Sequence, residues 1–407
     1  GRFVAMSVQD DRHKMKSYSI LRTHCQYIWY VGTGNFWFEK GVVRADDTVA
    51  YRLFQVILFS TYIFMTIFEI MGISQDFPKD EHGDCVTFSV SHTIVNIKIF
   101  SILRQKNLIR KLNEKMVEIC EEYESEDLMR NKYKIIKINI YAYFSIVYGT
   151  VLCFIFEGFR KMYEGTHFVT IVTYYPSYED NSPLATAVRV LFTIILCILM
   201  MTMIFSVDSF TMMYLIMFKY KIITLKQYLE GIRKTFDKEC KVNLRMASLN
   251  LKNGLIKAIV MHGALIKMCK DIDTAFGAVV TLQLCLSSGS VVSLLLQLAL
   301  ATDLPPVTTI KIIAFACALY FLLALFLCNA GDISYQAYLL SDAFFHSGWH
   351  LTESPRELLP MILMSTRQAQ RPLVMKAFNM IEITYGLFLQ VVRTTYSVFA
   401  LFYAQNK

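Results

Sequence analysis

The sequence predicts an all-α, polytopic membrane protein with seven spans, a cytoplasmic N-terminus and an extracellular C-terminus. Three observations carry this. The 407 residues are 55% hydrophobic and 18% charged, with a mean hydropathy of +0.40, against about 45–50% apolar and about 25% charged in a soluble chain. Seven apolar runs match the length of about 20 residues that a spanning helix needs. Lys and Arg gather in alternate connections, which orients the spans. Gly (17) and Pro (8) are too sparse for a collagen-like or disordered chain. The net charge of +8 is spread along the sequence, so no focused patch supports nucleic-acid binding.

Residues 1–52 form a basic, aromatic N-terminal segment with no uninterrupted apolar core, so no cleavable signal is expected. Residues 1–5 precede Met6 and read as a tag remnant. The body of the protein, 53–350, holds spans 1 to 6 at 53–73, 85–103, 138–156, 190–218, 275–302 and 309–330. Residues 351–376 hold an anchor helix, and 377–407 hold span 7 (377–404) and a short tail. Spans 2 and 7 are the weaker ones.

Arg12, Lys14, Lys16, Arg22, Lys40, Arg44 and Arg52 precede span 1. Between spans 2 and 3 lie Arg104, Lys106, Arg110, Lys111, Lys115, Arg130, Lys132 and Lys134. The connection between spans 4 and 5 is as basic, from Lys219 to Lys252. The loop between spans 1 and 2 is acidic (Asp76, Asp80, Glu81, Asp84), and the one between spans 5 and 6 has only Asp303. The basic connections belong inside. This inverts the topology of a G-protein-coupled receptor, and the chain also lacks a DRY-like triplet after span 3 and an NPxxY in span 7.

The basic connections are themselves helical in pattern. Leu108, Ile109, Leu112, Met116 and Ile119 recur at helical spacing, and 222–272 repeats the pattern. Two readings stand: helix extensions that build a cytoplasmic layer, or amphipathic helices lying on the membrane. Pro355–Met375 reads as a short amphipathic helix whose Leu358, Leu359, Ile362 and Leu363 pack into that anchor.

The ten cysteines are scattered, with no CxxC motif. Most sit in apolar runs, where a thiol behaves as a small hydrophobe; Cys85 reads as an outer-loop residue. No H-E-x-x-H, P-loop or paired carboxylates on a span occur, so no enzyme, metal or cofactor is expected. Asp208 interrupts span 4, a position that costs about 2.5–3.5 kcal/mol on insertion scales. It either sits at the cytoplasmic end or bonds to Ser or backbone partners. His92 and Lys98 in span 2 read as paired or snorkelling groups.

Span 7 is the least lipid-like, with Glu382, Thr384, Tyr385, Gln390, Arg393, Thr394, Thr395, Tyr396 and Ser397. It is either buried against the other six or faces water. Phe388, Val392, Thr395, Phe399 and Phe402 share one stripe, with Tyr403 beside the last.

The last seventy residues carry three ordered elements: a Ser-rich stretch ends in Trp349, an R/S-Q-x-x-P-L element follows at Arg367, Gln368, Arg371, Pro372 and Leu373, and a T-x-Y-S core stands at Thr394–Ser397. Together they resemble the C-terminal signature of the insect odorant receptors. A GNFW element (Gly34–Trp37) precedes span 1. The resemblance implies a tuning subunit of an odorant-gated, non-selective cation channel, assembled as a heterotetramer with the shared odorant receptor co-receptor. It also implies a plasma-membrane location in the olfactory neuron dendrite, a small volatile organic ligand, and surrounding membrane lipid. Matching pore positions puts Phe399, Phe402 and Tyr403 at the narrow outer end, where aromatic rings gate by dewetting. The chain is unlike the co-receptor: 219–272 is short and the ending YSVFALFYAQNK differs. The alternatives are a metabotropic seven-helix receptor coupled to a G protein, or a gustatory receptor channel.

A pocket for a volatile ligand is mostly apolar with one or two polar groups. Candidates on the outer halves of spans 2, 3, 4 and 6 are Phe88, His92, Ile146, Gly149, Cys153, Met200, Ile204 and Tyr320. Gly149 reads equally as a helix-packing contact, and the Met200, Met201, Met203 stripe as plain core.

Overall fold

The structure, a computed structural model, describes residues 15–168, 174–300, 306–371, 373–377 and 381–405. Its helices are α1 (Ser17–Tyr30), α2 (Val49–Gly72), α3 (Lys79–Arg104), α4 (Lys106–Glu118), α5 (Glu126–Tyr163), α6 (Pro183–Glu239), α7 (Leu244–Leu300), α8 (Pro306–Phe345), α9 (Pro355–Ala369) and α10 (Tyr385–Gln405). A small antiparallel hairpin, β1 (Lys376–Ala377) with β2 (Ile381–Glu382), precedes α10. Among the described residues seven helices are long and apolar enough to cross a membrane: α2, α3, α5, α6, α7, α8 and α10. The chain is an all-α membrane protein. Arg12, Lys14, Asp303, Pro372 and the stretch 378–380 of predicted span 7 lie outside the described residues.

The helices start where their sequences allow it. Ser125 caps α5 by accepting from the Leu128 N–H, and Ser182 caps α6 through Ala185, with Pro183 in the first turn. Span 7 begins later than predicted because Thr384 Oγ1 accepts from the Leu387 N–H and caps α10 there. Residues 377 and 381–382, predicted as helix, instead belong to the hairpin strands, which Asp273 of α7 fixes by accepting from the Lys376 N–H at 2.9 Å.

The first span turns polar groups inward and apolar ones outward. The inward face of α2 holds Tyr62, Thr66 and Glu69, while Leu53, Phe54, Val56, Ile57, Phe64 and Ile67 face outward. That order suits hydrocarbon outside and polar pairing within.

Beyond the spans the helices continue at one end as a packed layer. α6 and α7 each run 57 residues, about 86 Å at 1.5 Å per residue, far more than the about 30 Å of bilayer hydrocarbon. Helix extensions, rather than helices lying on a membrane, form this anchor. The stretch Ser206–Ile222 of α6 is buried throughout and forms its axis. Around it pack α1, α4 and the inner ends of α7 and α8. Here the GNFW element finds its role. Phe36 and Trp37 are buried, the Asn35 amide donates to the Val43 and Arg44 carbonyls, and the Phe36 carbonyl accepts from Asn113. Lys221 binds Glu121 at 2.6 Å and Lys132 binds Glu124 at 2.7 Å. Burial raises the Glu121 pKa, but Lys221 and Lys132 outweigh it, so the carboxyl lies below its ordinary value.

Candidate functional site

The bundle holds a mostly apolar cavity of about 80 Å³ where α3, α5, α6, α7 and α8 converge, at the end away from the anchor. Three rings form one wall: Phe88 and Phe154 meet edge-to-face at 5.0 Å, and Phe154 and Phe315 at 5.4 Å. Val147, Val151, Cys197, Met200, Ile204, Leu286 and Leu319 supply most of the rest.

The anchor-facing floor is polar. Asp208 accepts from Lys98 Nζ at 3.0 and 3.1 Å and from the Tyr143 hydroxyl at 2.6 Å, and Lys98 also binds Gln283. Asp208, Tyr143 and Gln283 all line the cavity. Of the two readings of Asp208, the structure thus takes the bonded one, with side-chain partners that sequence spacing does not reveal. A second polar group stands behind Met200: His92 Nε2 lies 2.9 Å from the thioether, and its Nδ1 pairs with the buried Glu69.

The predicted pocket residues divide. Phe88, Met200 and Ile204 line the cavity, and His92 backs it. Ile146, Gly149 and Cys153 lie one helix face away, in a groove between α5 and α8 on the bundle's outer surface. Tyr320 hydrogen-bonds to Thr395 of α10. Sequence reasoning missed Phe154, Phe315, Tyr143, Asp208 and Gln283. The signal available for the last three was polarity inside an apolar run. Cys85, read as a loop residue, is buried in α3 with its thiol on the Glu69 carbonyl.

α10 is the least enclosed span: 6% of its apolar window is buried within the chain, against 22–56% for the other six. Its predicted stripe is placed unevenly. Thr395 is buried, Phe388, Val392 and Phe399 are half-buried, and Phe402 and Tyr403 are exposed. Phe399 and Tyr403 stack at 5.8 Å. At its start the Tyr385 hydroxyl binds Asp332, which also binds Lys219 of α6. Gly331 lets the Tyr385 ring lie flat on α8, since a Cβ there would meet the ring at 3.3 Å. In α9, Leu358 and Ile362 are buried against the chain's own core, while Leu359 and Leu363 are exposed.

The sequence profile of a family described as "7tm Odorant receptor" matches residues 82–396. No curated protein matches the chain. Among solved structures, the insect olfactory receptor OR5 from Machilis hrabei superposes with a TM-score of 0.78 at 12% identity, covering 95% of this chain and 99% of that one. The same receptor in complex with eugenol gives 0.75 at 13% identity, covering 96% and 100%.

Proposed function

The chain belongs to the seven-transmembrane odorant receptor family, and from that premise we propose that it is the odour-tuning subunit of a ligand-gated cation channel. The observation that carries the reading is the mostly apolar cavity, with a wall of three aromatic rings and a polar floor. Its chemistry suits a small volatile molecule: rings and thioether for the apolar body, and Tyr143 or Gln283 for one hydrogen-bonding group. The similar receptor OR5 is solved with eugenol, which supports a ligand of small size.

At about 80 Å³ the cavity is smaller than the about 150 Å³ that houses benzene in an engineered core. A ligand therefore displaces something, and Met200 is the softest wall, an unbranched side chain with three rotatable bonds. Movement of Met200 would press on His92 and the Glu69 pair behind it.

The pore half of the proposal rests on α10. An apolar helix left uncovered by its own chain is completed by other subunits, and Phe402 and Tyr403 on its open face suit a gate that closes by dewetting. The further partner is the odorant receptor co-receptor, the assembly a heterotetramer, and the location the plasma membrane of an olfactory neuron dendrite. The basic anchor faces the cytoplasm on this reading.

The test is a panel of odorants applied to cells expressing the chain with the co-receptor. Met200→Ala is expected to change the half-maximal concentration about tenfold or more between ligands that differ by a few carbons, and to favour the bulkier ones. An unaltered ranking in a variant that reaches the surface overturns the pocket.

A further inference from the structure

Among the described residues, buried ion pairs stand at the end of the cavity and a thin layer of side chains at its side. At the end away from the anchor, Lys311 binds Asp84 at 2.7 Å and Lys161 binds Glu81 at 2.6 Å, with all four side chains nearly buried. Arg189 adds bonds to the Ser177 and Asp180 carbonyls at 2.7 Å, tying the loop before α6 across the same end. A molecule arriving from water would have to separate desolvated ion pairs, which is costly because each freed charge is left in an apolar setting.

The side differs. Between α5 and α8 an apolar groove of about 390 Å³ opens on the outer surface. Gly149 makes room for it: a Cβ built there would meet nothing within 4 Å. Thr150, Phe154, Phe315 and Ala318 line both groove and cavity, so one layer of side chains separates them. The neighbouring surface is Leu152, Ile313 and Phe321, all exposed and apolar at span depth, where acyl chains would lie.

We propose that an apolar ligand reaches the cavity sideways from the bilayer, through the groove between α5 and α8, with Phe154 and Phe315 as the door. An apolar volatile concentrates in hydrocarbon, and passage needs the turning of two rings, with the Lys311 ammonium leaving the Phe154 face, 5.2 Å away, while its pair with Asp84 is kept. The inference rests on the reading of the cavity as the ligand pocket.

Cys197 lies in the cavity wall and reports arrival. The full chain in lipid nanodiscs is exposed to N-phenylmaleimide, an apolar probe of ligand size, and mass spectrometry follows the adduct on Cys197 with time. Exposed Cys285 of α7, outside the groove, is the internal reference. Gly149→Phe, which fills the groove, is expected to slow Cys197 modification several-fold, and Phe315→Ala to speed it several-fold. Lys161→Met with Glu81→Gln, which removes an ion pair at the closed end without stranding a charge, should leave the rate unchanged. An unslowed reaction in Gly149→Phe, no acceleration in Phe315→Ala, or an acceleration in the Lys161/Glu81 double variant would each overturn the route. A faster reaction in Gly149→Phe would mean that the groove normally holds an acyl chain and is not the path. The readout is a reaction, not a ligand response. Failure of odorants to protect Cys197 would strike the pocket reading and leave the route standing.

Discussion

Lys98 and Asp208 show how a charge is kept inside a membrane bundle. Each is buried, and between them they engage Tyr143 and Gln283, so that α3, α5, α6 and α7 meet at one point below the cavity. Removing one partner strands the other, at a cost of about 3–5 kcal/mol, whereas replacing both by apolar groups is often tolerated. Lys98→Met is therefore expected to abolish surface expression or lower the melting temperature sharply. Lys98→Met with Asp208→Leu should recover much of the loss, as read by fluorescence-detected size exclusion. A double variant no better than the single one would show that the pair does more than balance charge.

At the scale of elements, α9 and α10 each present two faces with separate duties. In α9 the buried face, Leu358 and Ile362, holds the helix to α8, and the exposed face, Leu359 and Leu363, is free for another subunit. Leu359→Asp with Leu363→Asp is expected to leave the single chain folded and to abolish co-purification with the co-receptor, because assembly would bury unpaired charge. Ile362→Asp should instead reduce the amount of folded chain. Normal co-purification of the Leu359/Leu363 double variant would remove α9 from the interface. In α10, Thr395 is buried and tied to Tyr320 and to its own helix, while Phe402 and Tyr403 are exposed, the latter stacked on Phe399. Phe402→Ser or Tyr403→Ser is expected to raise ligand-free current without changing odorant ranking. Loss of a buried Phe would instead cost about 3–5 kcal/mol and lower surface expression. Whole-cell recording with a surface-expression control distinguishes the two outcomes.

For the whole molecule, the distribution of charge argues for one orientation. The anchor carries the dense Lys and Arg of the connections, and such segments stay in the cytoplasm. An epitope placed after Lys407 should then be stained on intact cells, and one at the turn between α6 and α7, around Lys241, only after permeabilisation. The reverse pattern would overturn the channel reading in favour of a receptor with inverted topology. The sequence by itself determined the class, the seven spans and the family, since each is written in local composition, spacing or contiguous motif; it left the basic connections open between helix extensions and helices lying on the membrane. Its candidates on the outer halves of the spans included Phe88, Met200 and Ile204, which line the cavity. Only the tertiary structure decided that Ile146, Gly149 and Cys153 lie in a groove outside the cavity, that Tyr320 reaches α10, and that Asp208 pairs with Lys98. The physical reason is that a helix in lipid carries apolar residues on both its buried and exposed faces. The side of α5 that looks inward is set by rotation against α6 and α8, which no single segment encodes.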